Sequence, residues 1–222
     1  MKFRIHPKPP SQTPTPDTIQ VRPTTVRVAS RPLRVLDFDI ENRPLTYLGS
    51  DFTTAEVTAI SWAWTDQPQD VTVYLLGETE LPTILREFVK VYQQADMVTG
   101  HYIKGHDLPM INGALMECRM APLSDKMVQD TKIDLIRAKG LSLSQESLGA
   151  MFRLDHQKVT MNQSKWRAAN RLTPEGLVEV RERVTGDVKQ HMELRQELVA
   201  LGYLAPPTLW RSGAAKTAAY AP

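Results

Sequence analysis

The sequence has one cysteine, Cys118, among 222 residues, so no intrachain disulfide and no thiolate metal cluster can form. No stretch approaches 18 consecutive apolar residues, and the opening MKFRIHPKPP lacks the apolar segment of a secretory leader. These absences predict a chain without a membrane span, in a reducing, cytoplasmic setting. A dominant charge is missing too. With 27 Lys and Arg against 25 Asp and Glu, the net charge of +2 is too small to argue by itself for a polyanionic partner. Hydrophobic residues make up 41%, enough at this length for one core of ordinary size.

Residues 1–31 are rich in proline (Pro7, Pro9, Pro10, Pro14, Pro16, Pro23) and poor in large apolar side chains, a composition that does not bury enough surface to fold alone. With Lys2, Arg4, Lys8, Arg22, Arg27 and Arg31 against Asp17, the segment reads as an extended basic arm. Residues 205–222, APPTLWRSGAAKTAAYAP, read as a flexible C-terminal tail. Between them, 32–204 reads as one mixed domain. VLDFDIENRP (35–44), EVTAISWAW (56–64) and VTVYLL (71–76) are expected as three successive antiparallel strands. MVTGHYI (97–103) is expected as strand four and MVQDTKIDLI (127–136) as a fifth strand or a strand end. Helices are expected over LPTILREFVKVYQQA, DLPMINGALMECRM and SLSQESLGAMFRL, the last capped at Ser142 or Ser144, and from Thr173 to a stop at Gly202 with a break at Gly186. Strands first, then strands alternating with helices, predict an α/β domain around one mixed, five-stranded sheet.

Acids in apolar surroundings carry the chemistry. In 35–44, Asp37, Asp39 and Glu41 alternate with Leu36, Phe38 and Ile40, so a strand would line one face with carboxylates and the other with core. At helical spacing Asp187 shares a face with Val184, Leu194, Leu198 and Leu201, and Asp107 shares one with Ile111, Ala114 and Cys118. Taken singly, Asp107 could be a helix cap and Asp187 the partner of Arg183. Taken together, inward acids without matching inward cations repel one another unless a divalent ion sits among them. Hard, oxygen-liganded ions suit such a set, and two Mg²⁺ or Mn²⁺ ions can drive phosphodiester hydrolysis.

FDIE (38–41), TGHYIKGHDLP (99–109) and GDVKQHMEL (186–194) together resemble the three motifs of the DnaQ-like 3'-5' exonucleases of the ribonuclease-H fold, above all the proofreading domain of family B DNA polymerases. Stand-alone members carried by bacteriophages are similar as well, which would make the setting a host cytoplasm. The resemblance implies a ribonuclease-H-like sheet over about 34–202. It further implies that Asp39, Glu41, Asp107 and Asp187 are the metal-binding and catalytic residues for two Mg²⁺ or Mn²⁺ ions. Implied partners are single-stranded DNA, or RNA, and a DNA polymerase or replication complex. The chain departs from the pattern in both later motifs: Tyr102 and His106 replace the asparagine and the phenylalanine of the second. Where the family has a tyrosine four positions before the last aspartate, or a histidine five before it, this sequence has Arg183 and Glu182.

Arg153, Lys158, Lys165, Arg167 and Arg171 surround Trp166 in FRLDHQKVTMNQSKWRAANR, a mixture suited to a single strand, with phosphates neutralised and a base stacked. Lys158, Lys165, Trp166, Arg167 and Arg183 are therefore the expected substrate contacts. His191, one turn after Asp187, reads as a packed or hydrogen-bonded histidine. Asp37 has no assigned role. Two other readings exist: a phosphatase opening on VLDFDI, which lacks the late second aspartate because His191 stands there, and a nucleic-acid-binding module on the same fold with little turnover.

Overall fold

The computed structural model describes residues 31–45 and 52–213. The chain divides into Met1–Pro32 and Leu33–Pro222, and the architecture below is that of the second unit. The basic arm expected over 1–31 lies outside the described residues apart from its last position.

Alternation decides the first strand. In β1 (Val35–Pro44) the side chains of Leu36, Phe38 and Ile40 enter the main core, and the acids take the opposite face. β2 (Ala55–Trp64) pairs antiparallel with β1 and β3 (Thr72–Leu75) antiparallel with β2. β4 (Met97–Gly100) and β5 (Lys126–Asp130) then add in parallel on the far side of β1. The order β3-β2-β1-β4-β5 is the ribonuclease-H-like arrangement expected from the sequence, three antiparallel strands followed by parallel ones. A sixth strand, β6 (Thr208–Trp210), joins β5 antiparallel, so the sheet has six strands where five were expected. β6 comes from the segment expected to be a loose tail.

Two helical layers cover the sheet. α1 (Leu81–Gln94) brings Ile84, Leu85, Phe88 and Tyr92, and α2 (Asp107–Glu117) brings Leu108, Ile111 and Leu115, onto Leu36, Phe38, Ile60 and Val98. Phe38 and Phe88 rings meet at 5.0 Å, and Trp62 stacks on Tyr74 at 5.4 Å, so Trp62 is core rather than a base platform. The other face carries α6 (Pro174–Ala200), a 27-residue helix about 40 Å long. It can lie close because the residues of β2 opposite Asp37, Asp39 and Glu41 are Ala63, Ser61 and Ala59. Ser61 Oγ donates to the carbonyl of Val184 at 3.1 Å, and Val180, Val184 and Val188 fill the space above the small residues.

Two local outcomes differ from expectation, and two others settle what the sequence leaves open. β5 stops at Asp130, whose carboxylate accepts the N–H of Ile133 and starts α3 (Thr131–Asp134), so 131–136 is helical rather than strand. Gly186 does not break α6: one interior glycine costs about 1 kcal/mol, less than the burial of the helix's apolar stripe contributes. Part of the basic stretch forms a short helix, α5 (Gln163–Asn170), capped by the Asn162 side chain on the N–H of Lys165. It packs against the start of α6, where a Cβ at Gly176 would collide with the backbone of Ala168. α4 (Gln145–Phe152) begins at Ser144, which accepts the N–H of Ser147, and not at Ser142.

Candidate metal centre

The acidic face of β1 meets α6 where the small residues of β2 admit it. One carboxylate oxygen each from Asp39, Glu41 and Asp187 lie within 4.8 Å of one another. Asp187 is 1% exposed, and its Oδ1 has no hydrogen-bond partner among the described residues. A buried carboxylate oxygen without a donor is costly unless a cation faces it. An all-oxygen set of this kind suits a hard divalent ion, so Asp39, Glu41 and Asp187 can hold one. Asp107 opens α2 beside them and is 3% exposed, but it stands outside the trio and its Oδ1 accepts the N–H of Ile40 at 3.2 Å. The sequence spacing placed all four acids inward, and the fold brings three of them to one point.

Their protonation reflects the crowding. Burial, reinforced by the charges of Asp187, Asp107 and Glu41, holds Asp39 well above the usual carboxylate range. Burial raises Asp107 to about 7, even though backbone N–H donors oppose it. Glu41 and Asp187 are also raised by burial, with Arg183 and Lys158 pulling each back.

Those two cations, expected as substrate contacts, sit in the cluster. Arg183 Nε donates to Glu41 Oε1 at 2.6 Å and lies 3.7 Å from Asp187 Oδ2. Its Nη1 donates to the carbonyl of Val159 at 2.9 Å, and its guanidinium stands 5.1 Å from the centre of the Trp166 ring. Lys158 Nζ is 3.1 Å from Asp187 Oδ2. Of the other expected contacts, Lys165 pairs with Glu179 at 2.5 Å, Trp166 is half-buried against the cluster of Ala59, Val180 and Val184, and Arg167 is exposed.

A second buried network lies alongside. Asp37, 0% exposed, accepts from or shares a proton with His191 Nδ1 at 2.6 Å. His191 Nε2 lies 3.1 Å from Thr131 Oγ, which lies 2.9 Å from His101 Nδ1, and His101 Nε2 faces the carbonyl of Leu143 at 2.8 Å. A carbonyl only accepts, so His101 carries its proton on Nε2. Burial lowers His101 to about 3, so it is neutral and its Nδ1 accepts from the Thr131 hydroxyl. Thr131 therefore receives the N–H of His191 Nε2, and one further proton lies between His191 Nδ1 and Asp37. Burial raises Asp37, opposed by His191. The acid left without a role in the sequence is thus the anchor of a hydrogen-bonded chain from β1 through α6 to α3. Helical spacing indicated the position of His191 on α6 but carried no sign of its partner.

At the end of β4 the chain turns sharply. Tyr102 adopts φ 73°, a conformation unusual for a side-chain-bearing residue, and the Asp130 carboxylate holds it by accepting the N–H groups of Tyr102 and Lys104 at 3.0 and 2.9 Å. This turn delivers His106 to Asn42 Oδ1 at 3.1 Å and Asp107 to the end of β1.

No protein-family model and no curated protein matches the chain. Among solved structures it is similar to the family B DNA polymerase of the hyperthermophilic archaeon Pyrobaculum calidifontis, with a TM-score of 0.62 at 16% identity. The match covers 78% of this chain and 25% of the polymerase, so the chain spans about a quarter of that protein's length. At such identity the likeness is one of fold.

Proposed function

We propose that the protein is a metal-dependent 3'-5' exonuclease that removes nucleoside 5'-monophosphates from single-stranded DNA. The observation that carries this reading is the convergence of Asp39, Glu41 and Asp187 within 4.8 Å on a fold similar to a family B DNA polymerase. Nucleic-acid binding, and a role beside a polymerase in replication, belong to the same proposal. RNA is the alternative substrate.

The donor set would hold Mg²⁺ or Mn²⁺, with Asp39, Glu41 and Asp187 around the ion; a second ion at Asp39 and Asp107 is what the resemblance implies. When bound, such ions supply Lewis-acid activation of water and compensation of the charge that develops at phosphorus. The protein's own groups do the rest. Arg183, clamped by Glu41 and the Val159 carbonyl, is positioned to donate to a non-bridging phosphate oxygen. Lys158 adds a second positive charge at Asp187. Water attacks the terminal phosphodiester, the 3'-oxygen of the preceding nucleotide leaves and takes up a proton, and the 5'-monophosphate departs.

The test is digestion of a 5'-labelled single-stranded oligonucleotide with Mg²⁺ or Mn²⁺, wild type beside Asp39→Ala. A ladder that shortens from the 3' end, absent in the variant and in EDTA, is expected. The ion pair between Arg183 and Glu41, at the position where the resembling family has tyrosine, favours a second reading: a nucleic-acid-binding module with little turnover. Intact substrate in the wild-type lane, with the strand bound, would decide for it.

A further inference from the structure

Resting on the metal-dependent reading, we infer that this centre takes one divalent ion rather than two, and that Arg183 and Lys158 supply the positive charge a second ion would bring. Charge comes first. Four carboxylates, Asp39, Glu41, Asp107 and Asp187, face two cations, Arg183 and Lys158. With all four ionised, as metal binding requires, two negative charges remain uncompensated, the charge of one divalent ion. A second ion would leave the centre positive before any phosphate arrived, and it would enter beside a guanidinium that does not deprotonate.

The oxygens give the same count. Arg183 engages Glu41 through Oε1, and Lys158 engages Asp187 through Oδ2. Asp187 Oδ1 is left buried and without a partner among the described residues. Three carboxylates with water filling the remaining positions suit one octahedral ion. Asp107 stands outside the trio and spends Oδ1 on the Ile40 amide, so a second site would need the oxygens of Glu41 and Asp187 that Arg183 and Lys158 hold.

Arg183 is also held in place. Glu41, the Val159 carbonyl and the Trp166 ring fix its guanidinium from three sides, and its side chain is only 13% exposed. A second ion drawing on Glu41 Oε1 would have to displace a guanidinium that two other contacts also hold. The pairing of Arg183 with Glu41 is therefore a built part of the centre and not a surface contact that an ion displaces at little cost.

The test is equilibrium binding of Mn²⁺ to the full-length chain without nucleic acid, read by the electron paramagnetic resonance of free Mn²⁺. Wild type is expected to bind one ion, any second being at least about 100-fold weaker. Asp39→Asn should lose the tight ion. The double substitution Arg183→Ala with Lys158→Ala, checked for folding by circular dichroism, should bind two ions of affinity within about tenfold of each other. Arg183→Lys, which keeps the charge, should still bind one. Two comparable ions on wild type, or one on the double variant, would overturn the inference, and the exonuclease reading would survive if the oligonucleotide ladder appears. One ion on wild type without any ladder would leave the inference standing and remove the exonuclease. No Mn²⁺ bound at all would remove both.

Discussion

Asp37 and Asp39 stand two residues apart on the same face of β1, both pushed up by burial, and the protein treats them in opposite ways. Asp37 is closed off: His191 is within 2.6 Å, and a chain of defined donors and acceptors runs on to Leu143. Asp39 is left among other acids, and the cations nearby are committed to Glu41 and Asp187. Only Oδ2 of Asp37 is engaged, and its Oδ1, like that of Asp187, has no partner among the described residues, so what distinguishes Asp37 is the fixed histidine on one oxygen. The contrast separates an acid that holds structure from an acid kept available for a ligand.

The largest expected effect breaks the open end. Asp39→Asn should lower hydrolysis by about 10³-fold or more, the loss associated with removing a metal ligand or a transition-state charge. It should not lower the thermal midpoint, because the substitution removes a carboxylate that repels Asp187, Asp107 and Glu41. A variant that lost activity through unfolding would argue that Asp39 is structural after all. Asp37→Ala should behave conversely. It leaves His191 Nδ1 without a partner in a buried site and should cost about 3 kcal/mol in chemical denaturation. Hydrolysis per folded molecule should fall far less than in Asp39→Asn. Asp37→Asn is the finer probe. With the His191 proton on Nε2, Nδ1 can accept from the new amide, so this variant should lose only about 1 kcal/mol. A loss equal to that of Asp37→Ala would mean that the proton order in the chain is wrong.

The same contrast divides what could be read in the sequence from what could not. Alternation along 35–41 and the apolar stripe of α6 are local periodicities, so the faces on which Asp39, Glu41 and Asp187 lie were legible from spacing alone. The triplet Ala59, Ser61 and Ala63 that lets α6 approach was equally local, though its meaning depends on the register with β1. The partners were not legible. His191 is 154 positions from Asp37 and Arg183 is 142 from Glu41, and no local pattern reports a pairing over that span. β6 escaped for a different reason. Three residues after Pro206 and Pro207 carry no periodicity, and their strand character comes from the free edge of β5. Trp166 was readable as aromatic among basic residues, but its packing under Arg183 is set by α5 meeting α6.

A pH series sharpens the comparison with a smaller effect. Asp107 has a folded value of about 7 against an ordinary 3.8, so between those values the folded chain binds a proton that the unfolded chain releases. The stability associated with it is therefore complete below about pH 4 and is lost as the pH rises toward 7. Glu41, Asp39 and Asp187 are raised in the same direction. Without metal, the thermal midpoint should fall across this window. Metal must displace the same protons, so Mg²⁺ should raise the midpoint by several degrees at about pH 8 and by little at about pH 5. Equal shifts at both values would mean that the ion binds elsewhere.

The smallest effect tests where a strand would run. Lys158, Arg183 and Lys165, three of the expected substrate contacts, are each paired with an acid in the free protein. Arg167 is exposed on α5 and makes no ion pair among the described residues. If a strand passes over α5 toward the acids, Arg167 neutralises one phosphate, and each phosphate contact adds about 0.7 to the slope of log affinity against log salt for a single strand. Arg167→Ala should reduce that slope by about 0.7 in fluorescence anisotropy with a labelled oligonucleotide in EDTA, and weaken binding only a few-fold at moderate salt. Lys165→Ala releases Glu179 as well as removing a cation, so its effect on binding should be no smaller than that of Arg167→Ala, and its effect on stability should stay within about 1 kcal/mol. An unchanged slope in both variants would place the strand on another approach to Asp39, and the rim near Tyr102 and His106 would be the next surface to substitute.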